Sequence, residues 1–191
     1  LLVGPGEYPG GIELTGSVQI HGLCSAKTII ASAGPIPAMQ GSSVPNAGIA
    51  LIDTSGTQLA GLRFEGDGAG IIAVNAQNFV VRDVEMAGSF GVGALVSGTS
   101  TGEFVRTWIH DTDPDAGQGV AGSGLHAEGG AAVTIRDSLV ERASGSGLLA
   151  VHSGTYLSIV DTTVRDTRSA PGYLPGMGCA VYAGATLSAH G

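Results

Sequence analysis

A glycine opening a short, mostly apolar run recurs six times in the 191-residue chain: Gly48-Ile49-Ala50-Leu51, Gly70-Ile71-Ile72-Ala73, Gly91-Val92-Gly93-Ala94, Gly124-Leu125-His126-Ala127, Gly147-Leu148-Leu149-Ala150 and Gly178-Cys179-Ala180-Val181. The steps run near 22 residues, apart from two that are longer by about ten. That is too short for the ~40–50-residue blade of a propeller and suits one turn of a solenoid. A second phrase sits inside each period: Leu59-Ala60-Gly61-Leu62, Val81-Arg82-Asp83-Val84, Val105-Arg106-Thr107-Trp108, Ile135-Arg136-Asp137-Ser138 and Ile159-Val160-Asp161-Thr162. An apolar residue closes each phrase, at Phe64, Met86, Ile109, Val140 and Val164. Two or three short strands per period, stacked at the ~4.8 Å interstrand distance, place like side chains above one another.

The pattern therefore predicts an all-β chain: a single-stranded solenoid, or parallel β-helix, of ~22-residue coils, with three parallel sheets around a shaft of Ile, Leu, Val and Ala. Thirty-three glycines and a charged fraction of only 13% argue against the alternative of helices, because no dozen-residue window keeps helix formers at 3.6-residue spacing without interruption. An antiparallel sandwich would use Asn-Gly or Asp-Gly hairpin turns, and Asp67-Gly68 is the sole such dipeptide. No change of composition divides residues 1–191, so one domain is expected. Region 32–46 contains Pro35, Pro37 and Pro45; proline lacks the donor a ladder needs, so this region reads as an excursion from an early coil. Near the other end, Ala185-Thr186-Leu187-Ser188 begins a further strand without a polar or helical cap, which predicts that the native protein continues.

Eight basic and sixteen acidic residues give a net charge of −8, which opposes the phosphate-driven part of nucleic-acid binding. No apolar run approaches the ~20 residues of a membrane helix. Neither nucleic acid nor a membrane span is expected. Cys24 and Cys179 fall in coils several ~4.8 Å steps apart, beyond disulfide reach, and are expected to be free, mostly buried thiols.

The opening Leu2-Val3-Gly4-Pro5-Gly6-Glu7-Tyr8, with Ile12-Glu13-Leu14 and Val18-Gln19-Ile20-His21-Gly22 after it, resembles the first coil of the pectate-lyase-like superfamily of right-handed parallel β-helices. The repeat carries this resemblance over nearly the whole chain. It implies a right-handed winding, an extracellular or cell-surface setting, and polysaccharide bound along the sheet that follows the repeat glycines, between loops entering that sheet. Trp108-Ile109-His110-Asp111 is similar to the Trp-Ile-Asp-His phrase of pectate lyases with its last two residues exchanged. The Arg-x-Pro-x-x-Arg motif of those enzymes is missing, as is the Gly-His-Gly pattern of polygalacturonases.

Two long insertions, 110–123 and 165–177, join the second phrase to the next repeat glycine and should emerge on one side of that sheet. In the coil between them Leu125 and Ala127 should face the shaft, so strand alternation turns His126 and Glu128 outward. A histidine and a carboxylate on one strand face can work as general acid and base or ligate a metal, which makes these two the catalytic candidates. Asp111, Asp113 and Asp115 alternate through the first insertion and offer oxygen ligands for calcium, although Ala116 stands where an EF-hand-type loop needs glycine. Turn chemistry explains the same composition. His110, His152, Arg165 and Asp166 join the three aspartates as candidate binding residues. His110, Glu141 and Arg165 are expected to stack in successive coils beside Asp111, Arg142 and Asp166, a charge ladder that stabilises the exterior. Arg82, Arg106 and Arg136 are expected to stack as a basic strip, offset by Asp83 and Asp137.

These features predict a scaffold module that presents loops to a polysaccharide or a protein partner, with calcium as the sole cofactor in view. The alternative is a polysaccharide lyase or glycoside hydrolase working through His126 and Glu128.

Overall fold

The computed structural model describes residues 1–40, 44–115, 117, 121–170 and 175–191. Parts of both long insertions, including Ala116 and Pro171, lie outside the described residues. The chain visits three sheets in fixed rotation, and each strand pairs in parallel with its equivalent one coil later. The glycine-led sheet holds Ile12–Leu14, Ala47–Ile52, Ala69–Val74, Val92–Ser97, Ser123–Glu128, Ser146–Val151 and Met177–Tyr182. A second sheet runs from Leu2–Val3 to Thr186–His190, and a third from Gly6–Tyr8 to Thr163–Arg165. This is the expected β-helix, with coils of about 22 residues.

The shaft forms as the repeat requires. Ile49, Ile71, Ala94, Leu125 and Leu148 are successive ladder partners and fully buried. Phe64, Met86, Ile109, Val140 and Val164 form a second ladder from the third sheet. These two ladders explain the glycines. A Cβ on Gly48 would meet Phe64 Cδ1 at 2.4 Å, one on Gly124 would meet Val140 Cγ1 at 2.5 Å, and one on Gly147 would meet Val164 Cγ1 at 2.3 Å. The missing side chain is the space that a bulky residue of the third sheet occupies in the same coil.

Two registers differ from the sequence reading. In the third coil the stacking glycine is Gly93, which faces Ile109; Gly91 instead makes a turn with φ of 81°. In the same coil Phe104, not Val105, is the ladder partner of Val81 and Ile135. This one-residue slip exchanges faces. Arg82 and Arg136 therefore flank Val105, and the expected basic strip does not form. Arg106 instead sits at the corner with φ of 49° and forks onto Asp83 of the preceding coil at 2.7 and 2.9 Å. Burial of the thiols also differs: both cysteines are free, but Cys24 is half-buried and Cys179 exposed. Cys179 stacks on Leu148 in the last described coil, so its other side has no shaft residue against it.

The described parts of the excursion, residues 32–40 and 44–46, fold back over the outer face of the glycine-led sheet. Ile36 and Val44 pack there on Ala50, Ile72 and Leu95, with Met39 beside them. A one-turn 3-10 helix, Pro37–Met39, and an antiparallel bridge between Pro35 and Asn46 hold the excursion together. Full burial of Ile36 and Ile72 contributes roughly 1.5–3 kcal/mol each. No helix among the described residues is long and apolar enough to cross a membrane.

Candidate functional site

The outward ladder of the glycine-led sheet runs Glu13, Ala50, Ile72, Leu95, His126, Leu149, Ala180. Ala50, Ile72 and Leu95 cluster with Ile36 and Val44 of the excursion. From Ala50 to Ala180, His126 is the one polar side chain of the row, and it faces outward with Glu128, as alternation predicts. His126 Nε2 lies 3.5 Å from Glu128 Oε2, is itself buried, and has no hydrogen-bond partner. Burial between Leu95 and Leu149 pushes the imidazole below the ordinary histidine range; Glu128 acts against that shift and His152 adds to it. A neutral imidazole beside a carboxylate can accept and return a proton. Among the described residues, no group of three or more His, Cys, Asp or Glu is placed to hold a metal ion.

The aspartates of the first insertion go separate ways. Asp111 accepts both Arg142 Nε and Nη2, at 2.7 and 2.9 Å. Asp113 accepts the Ser144 hydroxyl at 3.1 Å, and Asp115 accepts the Gly117 amide at 3.0 Å. His152 is an exposed corner residue with φ of 76°, whose carbonyl accepts the Thr155 amide.

His110 belongs to a different structure, a polar network across the outer face of the third sheet. Its ladder continues to Glu141 and Arg165, as the sequence predicts. Its Nδ1 lies 2.6 Å from Asp111 Oδ2 and its Nε2 lies 3.2 Å from Glu85 Oε1. Glu141, with a side chain only 3% exposed, accepts Arg165 Nε at 2.7 Å, Trp108 Nε1 at 3.2 Å and Arg142 Nη1. Asp166 stands 3.7 Å from Arg165, on the exposed rim. Hydrogen bonds from Arg142 hold the Asp111 carboxyl well below the usual range, against the effect of burial and with help from His110. For Glu141 burial raises the pKa, but its bonds from Arg165, Arg142 and Trp108 outweigh that and leave it lowered.

Three members of this network were missed by the sequence reading. Glu85 is the Cα partner of both Arg63 and Trp108, and Arg63 Nη1 lies 3.5 Å from it. Trp108 stacks on the His110 ring at a centroid distance of 4.0 Å. The signal was there: each precedes an inward closing residue, Phe64, Met86 or Ile109, so alternation turns all three to one outer face.

A family model described as a right handed beta helix region matches residues 19–164, about three quarters of the chain. Comparisons with curated proteins and with solved structures found no match.

Proposed function

Because the chain belongs to the right-handed β-helix family, a shaft that hosts many unrelated activities, we propose that it is a scaffold module of a secreted or cell-surface protein, presenting its loops to glycans or protein partners. One observation carries this reading. The outer face of the glycine-led sheet, where the pectate-lyase-like resemblance implies a substrate groove, is filled over three coils by the chain's own Ile36 and Val44. Neutral glycans suit the net charge of −8 better than polyuronates, which such a charge repels.

A second reading, a polysaccharide lyase or glycoside hydrolase, draws on the buried, unpartnered Nε2 of His126 at 3.5 Å from Glu128. Incubation with neutral and acidic polysaccharides, with and without calcium, separates the two. Retention of a glycan without release of shorter products is the expected outcome. Product release that disappears in both His126→Ala and Glu128→Ala would make the enzyme reading the right one.

A further inference from the structure

The outer face of the second sheet differs from the other two. Both long insertions leave from the third sheet, and Ile36 and Val44 of the early excursion pack on the glycine-led one. Strands Thr101–Val105, Ala132–Arg136 and Tyr156–Val160 present their outward side chains in ladders, with Glu103 over Thr134 and Ser158, and Ala132 over Tyr156. A shallow depression of about 330 Å³ opens on this face, lined by Asn78, Val80, Gly102, Glu103, Ala132 and Thr134.

The polar groups around it are uncommitted. The Asn78 side-chain amide and the Thr134 hydroxyl make no hydrogen bond to any described residue, although the Asn78 backbone amide is satisfied by Thr101 Oγ1. The Glu103 carboxylate has only a loose approach from Arg136 Nε at 3.6 Å. On the next coil Tyr156 is 41% exposed, yet its hydroxyl is tied to Ser188 Oγ at 2.7 Å. An exposed aromatic ring already fixed in place loses little side-chain entropy when a ligand packs on it.

Resting on the glycan arm of the function proposed above, we propose that this depression holds one ring of a neutral polysaccharide and that Tyr156, on the adjacent coil, packs against the neighbouring ring. The chemistry matches on each side. An amide, a hydroxyl and a carboxylate supply donors and acceptors for sugar hydroxyls, and the tyrosine ring offers an apolar surface to the C–H face of a pyranose. Small Ala132 leaves the floor open. Glu103 selects against uronates through like charge.

Calorimetric titration of the whole chain with gluco-, manno- and xylo-oligosaccharides, and with oligogalacturonate as the acidic contrast, tests this. The wild type should bind at least one neutral series in preference to oligogalacturonate. Tyr156→Ala should weaken that binding about tenfold or more. Ala132→Arg, which fills the depression from an exposed position, should abolish it, and Asp161→Asn at a remote corner should leave it unchanged. Thermal melts confirm that each variant is folded. Neutral-sugar binding that survives both Tyr156→Ala and Ala132→Arg overturns the subsite while leaving a glycan-presenting scaffold intact. A wild type that binds only oligogalacturonate also overturns the subsite. A wild type that binds no sugar overturns both the subsite and the glycan arm.

Discussion

His110 and His126 are both outward-facing histidines beside acidic residues, yet the molecule treats them in opposite ways. His110 has each ring nitrogen within hydrogen-bond distance of a carboxylate, Asp111 on one side and Glu85 on the other, and Trp108 stacked on its ring. His126 has apolar neighbours above and below, Leu95 and Leu149, and a buried nitrogen without a partner. The first histidine is held by residues of its own coil and of the preceding one, with Arg142 Nη2 of the next coil 3.4 Å from its Nδ1, and helps to tie those coils together. The second interrupts the apolar run from Leu95 to Leu149 with only Glu128, at 3.5 Å, to offset its burial, and such local violations are where function is to be sought. Proximity of a histidine to an acid is therefore uninformative in a repeat protein; the count of satisfied partners separates the two cases.

The contrast is broken most severely by removing the hub of the first cluster. Glu141→Ala leaves Arg142 and Arg165 without the carboxylate they share. Both arginines are partly exposed and stay solvated, so the loss is that of charge-assisted hydrogen bonds, about 1.5–3 kcal/mol, read as a lowered urea midpoint. Arg165→Ala removes a side chain that is 57% exposed, and exposed partners contribute about 1 kcal/mol or less. Equal effects from the two variants would show that the network does not bind the coils together.

The same cluster sets an acid limit. The Asp111 and Glu141 carboxyls are both held below their ordinary values in the folded chain. The unfolded chain therefore takes up protons first as pH falls. The stability these groups contribute is fully present above the usual carboxylate range, near pH 4, and is lost as pH drops through and below it. Urea midpoints measured from neutral pH downward should fall, and Asp111→Asn should flatten that fall. Asparagine tolerates the left-handed backbone of position 111, where φ is 54°, so the variant tests charge and not strain.

Much of this was legible beforehand, and the failures have physical causes. The closing ladder from Phe64 to Val164 was readable because one large apolar residue recurs in each coil at a position with no competitor. The third coil was misread because Gly91-Val92-Gly93 offers two glycines and Phe104-Val105 offers two apolar residues. In each pair local composition is neutral, and tertiary packing decides: Ile109 needs the gap at Gly93, and Phe104 meets Phe79 edge-on at 5.8 Å. The charge ladder of His110, Glu141 and Arg165 was visible from spacing alone. The excursion was recognised as a loop, but its place over Ala50, Ile72 and Leu95 was not, since prolines announce a break in the ladder without saying which face the chain will cross.

The smallest expected effect probes His126 itself. His126→Leu continues the apolar row from Leu95 to Leu149 and removes a buried nitrogen with no partner, which should raise stability by about 1 kcal/mol. The gain should depend on pH. Because the folded-state pKa of His126 is lowered, the wild type is fully stable above the ordinary histidine value near 6.5 and loses stability as pH falls through it. The leucine variant lacks that loss, so the advantage widens toward pH 5, a difference that paired urea titrations at two pH values can resolve. A variant less stable than wild type at both pH values would mean that His126 is partnered after all. The distinction drawn between the two histidines would then fail, and with it the case for reading His126 and Glu128 as anything but surface.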